Sequence, residues 1–152
     1  MAKAEIHWNI SEQPVPPPTA DFDRGHGAAV EFLGVVREME GGTRLAGIDY
    51  SAYPAMAEAE MRRLIRDHAE AFAAAAGADT GNPEEGGPSA RASARVWIHH
   101  RLGFVPVGVA SLAIRVQSAH SAEAIDRCRW WLDQIKRRLP VWKRPVEAPS
   151  EV

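Results

Sequence analysis

Two runs, Arg95 to Leu102 and Val109 to Gln117, alternate their side chains with a two-residue period, and this period constrains the fold more than any other feature. Val96, Ile98, His100 and Leu102 interleave with Arg95, Trp97, His99 and Arg101; Leu112, Ile114 and Val116 interleave with Ser111, Ala113 and Arg115. Successive side chains of a strand point to opposite faces, so each run reads as a strand with one apolar face. Pro106 and Gly108 supply a turn before the second run, which makes the pair an expected hairpin.

Helical periodicity covers two other stretches. Pro54 suits the first turn of a helix on which Ala57, Met61, Leu64, Ile65, His68, Ala69 and Phe72 share a side. Ser121 can cap a final helix with Glu123 in its first turn, an apolar stripe of Ile125, Cys128, Leu132, Ile135 and Leu139, and a stop at Pro140. Upstream, Lys3 to Ile10 reads as a short strand. The nearly all-apolar run from Ala28 to Val36 has the character of a strand buried on both faces, with Gly34 marking a bulge or close approach. A turn at Glu40-Gly41-Gly42 leads into a strand from Leu45 to Tyr53, and a hairpin is the simplest connection between these two strands. Strand pairs alternating with single helices predict an α+β sandwich, a sheet covered by helices, in one domain spanning residues 1–152. Residues 14–26 read as an exposed proline-rich connector, and residues 77–93 as a flexible surface loop.

The 45% hydrophobic fraction is enough for one self-sufficient core, and at this length roughly two-thirds of the extended chain's surface is expected to be buried. The formal charge of -2 conceals a cluster of cations at the C-terminal end: Arg127, Arg129, Lys136, Arg137, Arg138, Lys143 and Arg144. That cluster favours a local anion site over a generally basic protein. Cys128 is the only cysteine, which excludes an intrachain disulfide and points to a reducing, cytoplasmic setting. MAKAEIHWNISEQ lacks the apolar stretch of a secretory signal, and no segment approaches the ~20 apolar residues of a membrane span, so no membrane partner is expected.

The segment IKRRLPVWKRP carries the most chemistry. Lys136 and Lys143 flank a helix stop, so two amines can converge on one pocket with Trp142 as an apolar wall. Partial burial beside other cations would lower a lysine's pKa and favour nucleophilic or acid–base use on an anionic substrate. On spacing alone, such a helix end is more often just solvated, because cations complement the helix dipole there. His120 stands at the entry of the last helix, where backbone N–H groups attract phosphate or carboxylate; such a histidine is more often structural. Arg37 is either an anion ligand or an ordinary charge at a strand end. His99 and His100 point to opposite faces of a strand and make a poor chelating pair, so no catalytic metal is expected. Trp130 and Trp131 read as packing residues.

Four segments in order resemble the molybdopterin synthase large (catalytic) subunit, the MoaE family: GAAVEFLGVVR, IDYSAYPAMAEAEM, HHRLGFVPVGVASLAIRVQSAHSAEA with its His-Arg-x-Gly turn and Ser-x-His helix entry, and DQIKRRLPVWKR. The likeness runs from about Gly27 to Arg144. It implies an α/β hammerhead-like sandwich of antiparallel strands and helices with a small additional β subdomain. It also implies a homodimer carrying two small ubiquitin-like sulfur-carrier subunits, each ending in Gly-Gly, within a heterotetramer. The implied activity is sulfur transfer from the thiocarboxylated carrier to cyclic pyranopterin monophosphate, forming the molybdopterin dithiolene of molybdenum cofactor biosynthesis, with no external cofactor or metal required. By position, Lys136 would be the principal catalytic lysine and Lys143 its support. Arg37 and His120 would bind substrate together with both lysines.

The chain departs from the family at Ser121, where arginine is common, and at Pro145, where an acidic residue is usual. Those departures favour one competing reading, a non-catalytic relative that binds a ubiquitin-like tail or a phosphorylated metabolite. Another is a nucleic-acid-binding module built on the basic helix, which would show steep salt dependence; it lacks a recognised motif, and no nucleic-acid partner is expected.

Overall fold

The computed structural model describes residues 3–18, 21–74 and 93–151. Apart from Ser93, the loop expected at 77–93 lies outside the described residues. Ten elements follow in order: β1 (Glu5–Ser11), β2 (Ala28–Val35), β3 (Met39–Glu40), β4 (Thr43–Ala52), α1 (Pro54–Ala71), β5 (Ala94–Arg101), β6 (Gly103–Pro106), β7 (Ala110–Ser118), α2 (Ser121–Arg138) and β8 (Val141–Glu147).

The alternating runs become β5 and β7, antiparallel neighbours from Ala94 opposite Ser118 to His100 opposite Leu112. They form the middle of a sheet ordered β1-β5-β7-β2. Their connection is not a simple hairpin. Gly103 takes a φ of 79°, open to glycine and strained for other residues, and swings the chain off the sheet into β6, which pairs with β4 instead. The β1–β5 pair is parallel, an exception among ladders expected to be antiparallel.

Two expectations for β2 need correction. It is an edge strand whose residues alternate between partly buried and exposed, with Leu33 43% and Val35 49% accessible, because the helices cover only one face of this sheet. Nor does it form a hairpin with β4. The ladder with β7 is irregular at Gly34/Val35, after which Val36 enters a second core and the chain changes sheets.

In the second sheet β4 is central, flanked by β6 and β8 and joined to β3 by the Gly41–Gly42 turn. Val36, Leu45, Ile48 and Val105 are its core, and it forms the small additional β subdomain. β8 was not legible from sequence, since Lys143, Arg144 and Pro145 are weak strand formers. As an edge strand it tolerates a proline, which contributes no ladder donor. Gly47 is buried with the Val105 carbonyl against the place of a Cβ and Phe104 ring atoms 2.6 Å from it. Gly47→Ala should therefore cost about 1–3 kcal/mol, read as a lower urea midpoint with unchanged m-value.

α1 and α2 pack on one face of the main sheet around Met61, Leu64, Ile98, Ile114, Val116 and Trp131. The stripe on α2 is rotated from the expected one. Ile125 is 50% exposed, whereas Ala124, Arg127, Cys128, Trp131 and Ile135 are buried. Arg127 can turn inward because Glu123 and His68 receive its guanidinium. The N-cap is also shifted. His120 holds that position, its carbonyl accepting from Ala124 N, and neither it nor Ser121 provides a side-chain cap.

The proline-rich connector is mostly exposed but tethered across the open face of the sheet. Arg115 Nη2 donates to the Pro16 carbonyl at 2.6 Å, and Gln117 Nε2 donates to the Asp21 carbonyl at 3.0 Å. Beneath it lies a groove of about 450 Å³ with His7 and Trp97 in its lining. Among the described residues, no helix is long and apolar enough to cross a membrane.

Candidate active site

The last turn of α2 carries Lys136, Arg137 and Arg138; Leu139 caps the helix, and the chain returns as β8 along β4. Ladder register sets Lys143 directly opposite Tyr50, Trp142 opposite Ser51 and Arg144 opposite Asp49. Lys143 Nζ lies 3.7 Å from Glu40 Oε1. Glu40 follows Arg37 by one short bend and strand, so the segment after β2 lies beside Lys143.

Topology assigns the four expected residues to two ends of the main sheet. α2 starts just beyond the end of β7 and doubles back over β7 and β2. Its last turn therefore reaches the sheet end where β2 finishes. Lys136, Lys143 and Arg37 belong to this end, whereas His120 begins the helix at the other. The intervening helix is about 24 Å long at 1.5 Å per residue. One chain thus brings Arg37's segment to the lysines and keeps His120 away.

The lysines are not shielded as expected. Lys136 and Arg37 are exposed, and the Lys143 side chain is 60% accessible, because the helix exit lies at the margin of both cores. Trp142, the expected apolar wall, is 54% exposed. Within the cation cluster, Arg127 is paired with Glu123, Arg138 with Glu60 and Asp67, and Arg144 with Asp49. Arg37, Lys136 and Arg137 have no such carboxylate partner among the described residues. That leaves unneutralised cations available to an anion.

Sequence reasoning missed Glu40, read only as part of a turn, and the contact between the Tyr50 and His100 rings, whose centroids are 5.2 Å apart. Tyr50 lies within the expected strand from Leu45 to Tyr53, but its ring partner lies in a different sheet. His99 and His100 do point apart: His99 Nε2 contacts the Gln13 carbonyl and His100 Nδ1 the Arg101 carbonyl. Among the described residues, no group of three or more His, Cys, Asp or Glu side chains could hold a metal ion.

The family model described as MoaE protein matches residues 10–138, most of the chain. The chain belongs to the MoaE family. A MoaE relative from Oryza sativa subsp. indica, named molybdopterin synthase catalytic subunit, is 30% identical over 130 residues. That match covers 86% of this chain and 58% of the relative, so the chain spans about three-fifths of the rice protein's length. A molybdopterin synthase structure from Staphylococcus aureus has the same fold, with a TM-score of 0.70 at 22% identity over 93% of this chain and 91% of that one. A chain from a complex of subunits 1 and 2 of the Helicobacter pylori molybdopterin-converting factor superposes with a TM-score of 0.57 at 16% identity, covering 84% of this MoaE chain and 75% of that one.

Proposed function

We propose that the chain acts as one domain, the catalytic large subunit of a molybdopterin synthase, a sulfurtransferase that moves sulfur from a thiocarboxylated carrier onto cyclic pyranopterin monophosphate. The observation that carries this reading is the pair of lysines around the helix stop, at the same sheet end as Arg37. A phosphate, a thiocarboxylate and a developing oxyanion all require fixed positive donors. In this reading Lys136 is the principal catalytic amine, and Lys143 orients the carrier tail or holds phosphate. Arg37 and His120 complete the anion pocket.

The partner is a small ubiquitin-like subunit ending in Gly-Gly, and the site of action is the cytoplasm. The name of the Helicobacter pylori complex, of two subunits of one converting factor, supports a two-subunit assembly. The 24 Å of helix between His120 and Lys136 favours a homodimer, in which His120 of one protomer can lie beside Lys136 of its partner. Two carriers then make a heterotetramer. A nucleic-acid role fits less well, because Arg127, Arg138 and Arg144 are already paired with carboxylates.

Purified chain mixed with thiocarboxylated carrier and cyclic pyranopterin monophosphate is expected to yield molybdopterin, and sedimentation without carrier to give a dimer. Binding of the carrier without product would favour the non-catalytic reading. Failure of both binding and conversion would overturn the proposal.

A further inference from the structure

We infer that Tyr50, backed by His100, is a positioning residue that sets where the Lys143 amine stands; the catalytic meaning of that placement rests on the function proposed above. A lysine amine rides on a flexible four-carbon stem, so its location depends on what confines stem and head. Here the confinement is built from the β4–β8 ladder. Tyr50 and Lys143 are direct cross-strand partners and share a face, as do Ala52 with Val141 and Ile48 with Pro145. The lysine stem therefore rises between Val141 and Pro145 on its own strand, with the Tyr50 ring as its neighbour across the ladder.

The Tyr50 ring is itself held from behind. It meets His100 edge-on, with centroids 5.2 Å apart and planes at 70°, a favourable aromatic geometry. His100 is 7% exposed, and its Nδ1 is engaged with the Arg101 carbonyl at 3.0 Å. The His-Arg-x-Gly turn thus has a use beyond redirecting the chain: it anchors the ring beside the lysine. Glu40, 3.7 Å from Nζ, gives the head a resting counter-charge that an incoming anion can replace.

The test compares Tyr50→Leu, which keeps apolar bulk but removes the planar ring, with Tyr50→Phe, which restores the ring without the hydroxyl. The first readout is the rate at which acetic anhydride labels Lys143 in the folded protein, followed on its peptide by mass spectrometry. It does not depend on what the chain catalyses. Tyr50→Leu should change Lys143 labelling while Lys136 labelling stays the same, and Tyr50→Phe should label like wild type. The second readout is turnover with the carrier: kcat should fall about tenfold in Tyr50→Leu, with KM for the carrier little changed.

Val105→Ala, which loosens the same small core from the strand on the far side of β4, should lower thermal stability without altering Lys143 labelling. Unaltered labelling in folded Tyr50→Leu, or an equal change in Val105→Ala, would overturn the inference. If wild-type protein makes no product, the proposed function fails while the labelling result still decides the positioning role.

Discussion

Lys136→Ala is expected to reduce molybdopterin formation by roughly a hundredfold or more, the scale of removing a group that moves a proton or stabilises developing charge. Its thermal stability should stay near wild type, because Lys136 is exposed and has no ion-pair partner among the described residues. Arg137 and Arg138 share that helix end, so loss of any nearby cation could in principle slow an anionic reaction. Two further variants separate amine chemistry from general charge. Arg137→Ala removes an adjacent charge and should leave kcat close to wild type. Lys136→Arg keeps the charge but substitutes a guanidinium that does not release a proton in proteins, so it should remain impaired if the amine is catalytic. Full activity in Lys136→Arg would reduce the role to electrostatics, and full activity in Lys136→Ala would end it. The same assay tests the dimer, because Lys136→Ala and His120→Ala chains should regain partial activity when co-assembled, as one of the two sites is then intact.

Periodicity exposed most of the architecture where one rule governed an element. β5 and β7 carry a two-residue period long enough to read, and α1 carries a stripe ending in His68 and Phe72. Errors arose where a neighbour distant in sequence decided the outcome. The apolar run of β2 reads as doubly buried, but burial depends on how many faces the helices cover. α2 reads as an Ile125 stripe because nothing local reveals that His68, on another helix, will accept Arg127. The site was legible to the same extent. Lys136, Lys143 and Arg37 stand at one end of the fold, while Glu40 and the Tyr50–His100 contact depend on two sheets meeting. The separation of His120 from Lys136 could have been anticipated, since both flank one continuous helix of known rise.

Arg127→Met should destabilise the chain by about 3 kcal/mol, lowering Tm by roughly 6–12 °C, although it replaces a charged residue with an apolar one of similar length. Arg127 is 1% exposed. Its guanidinium donates to Glu123 Oε1 through Nε at 2.8 Å and to His68 Nε2 through Nη1 at 3.1 Å, and it lies 4.6 Å from the Phe72 ring centroid. Methionine would leave the Glu123 carboxylate, 19% exposed, and the His68 nitrogen without their donor. Adding Glu123→Met should recover part of the loss, because removing both charged partners also removes the stranded charge.

The same pair predicts a pH dependence. Burial, and then the positive charge of Arg127, pushes the His68 pKa down from 6.5 to about 3. Accepting from Arg127 requires a bare Nε2, so the folded protein holds the ring neutral. Below pH 6.5 the unfolded chain takes up a proton that the folded chain refuses, and stability present above that pH is lost as pH falls toward about 3. The loss has a limiting slope of about 1.4 kcal/mol per pH unit for one group. Urea unfolding at about pH 7.5, 6 and 5 samples this window above the carboxylate range. His68→Gln keeps an acceptor for Arg127 and cannot titrate, so its stability should fall less over that interval. Some slope should remain, since burial also lowers the His100 pKa. Arg127→Met should be flatter than wild type too, because removing the guanidinium relieves one of the two causes that keep His68 unprotonated. Identical slopes in wild type and His68→Gln would show that His68 is not the group that titrates.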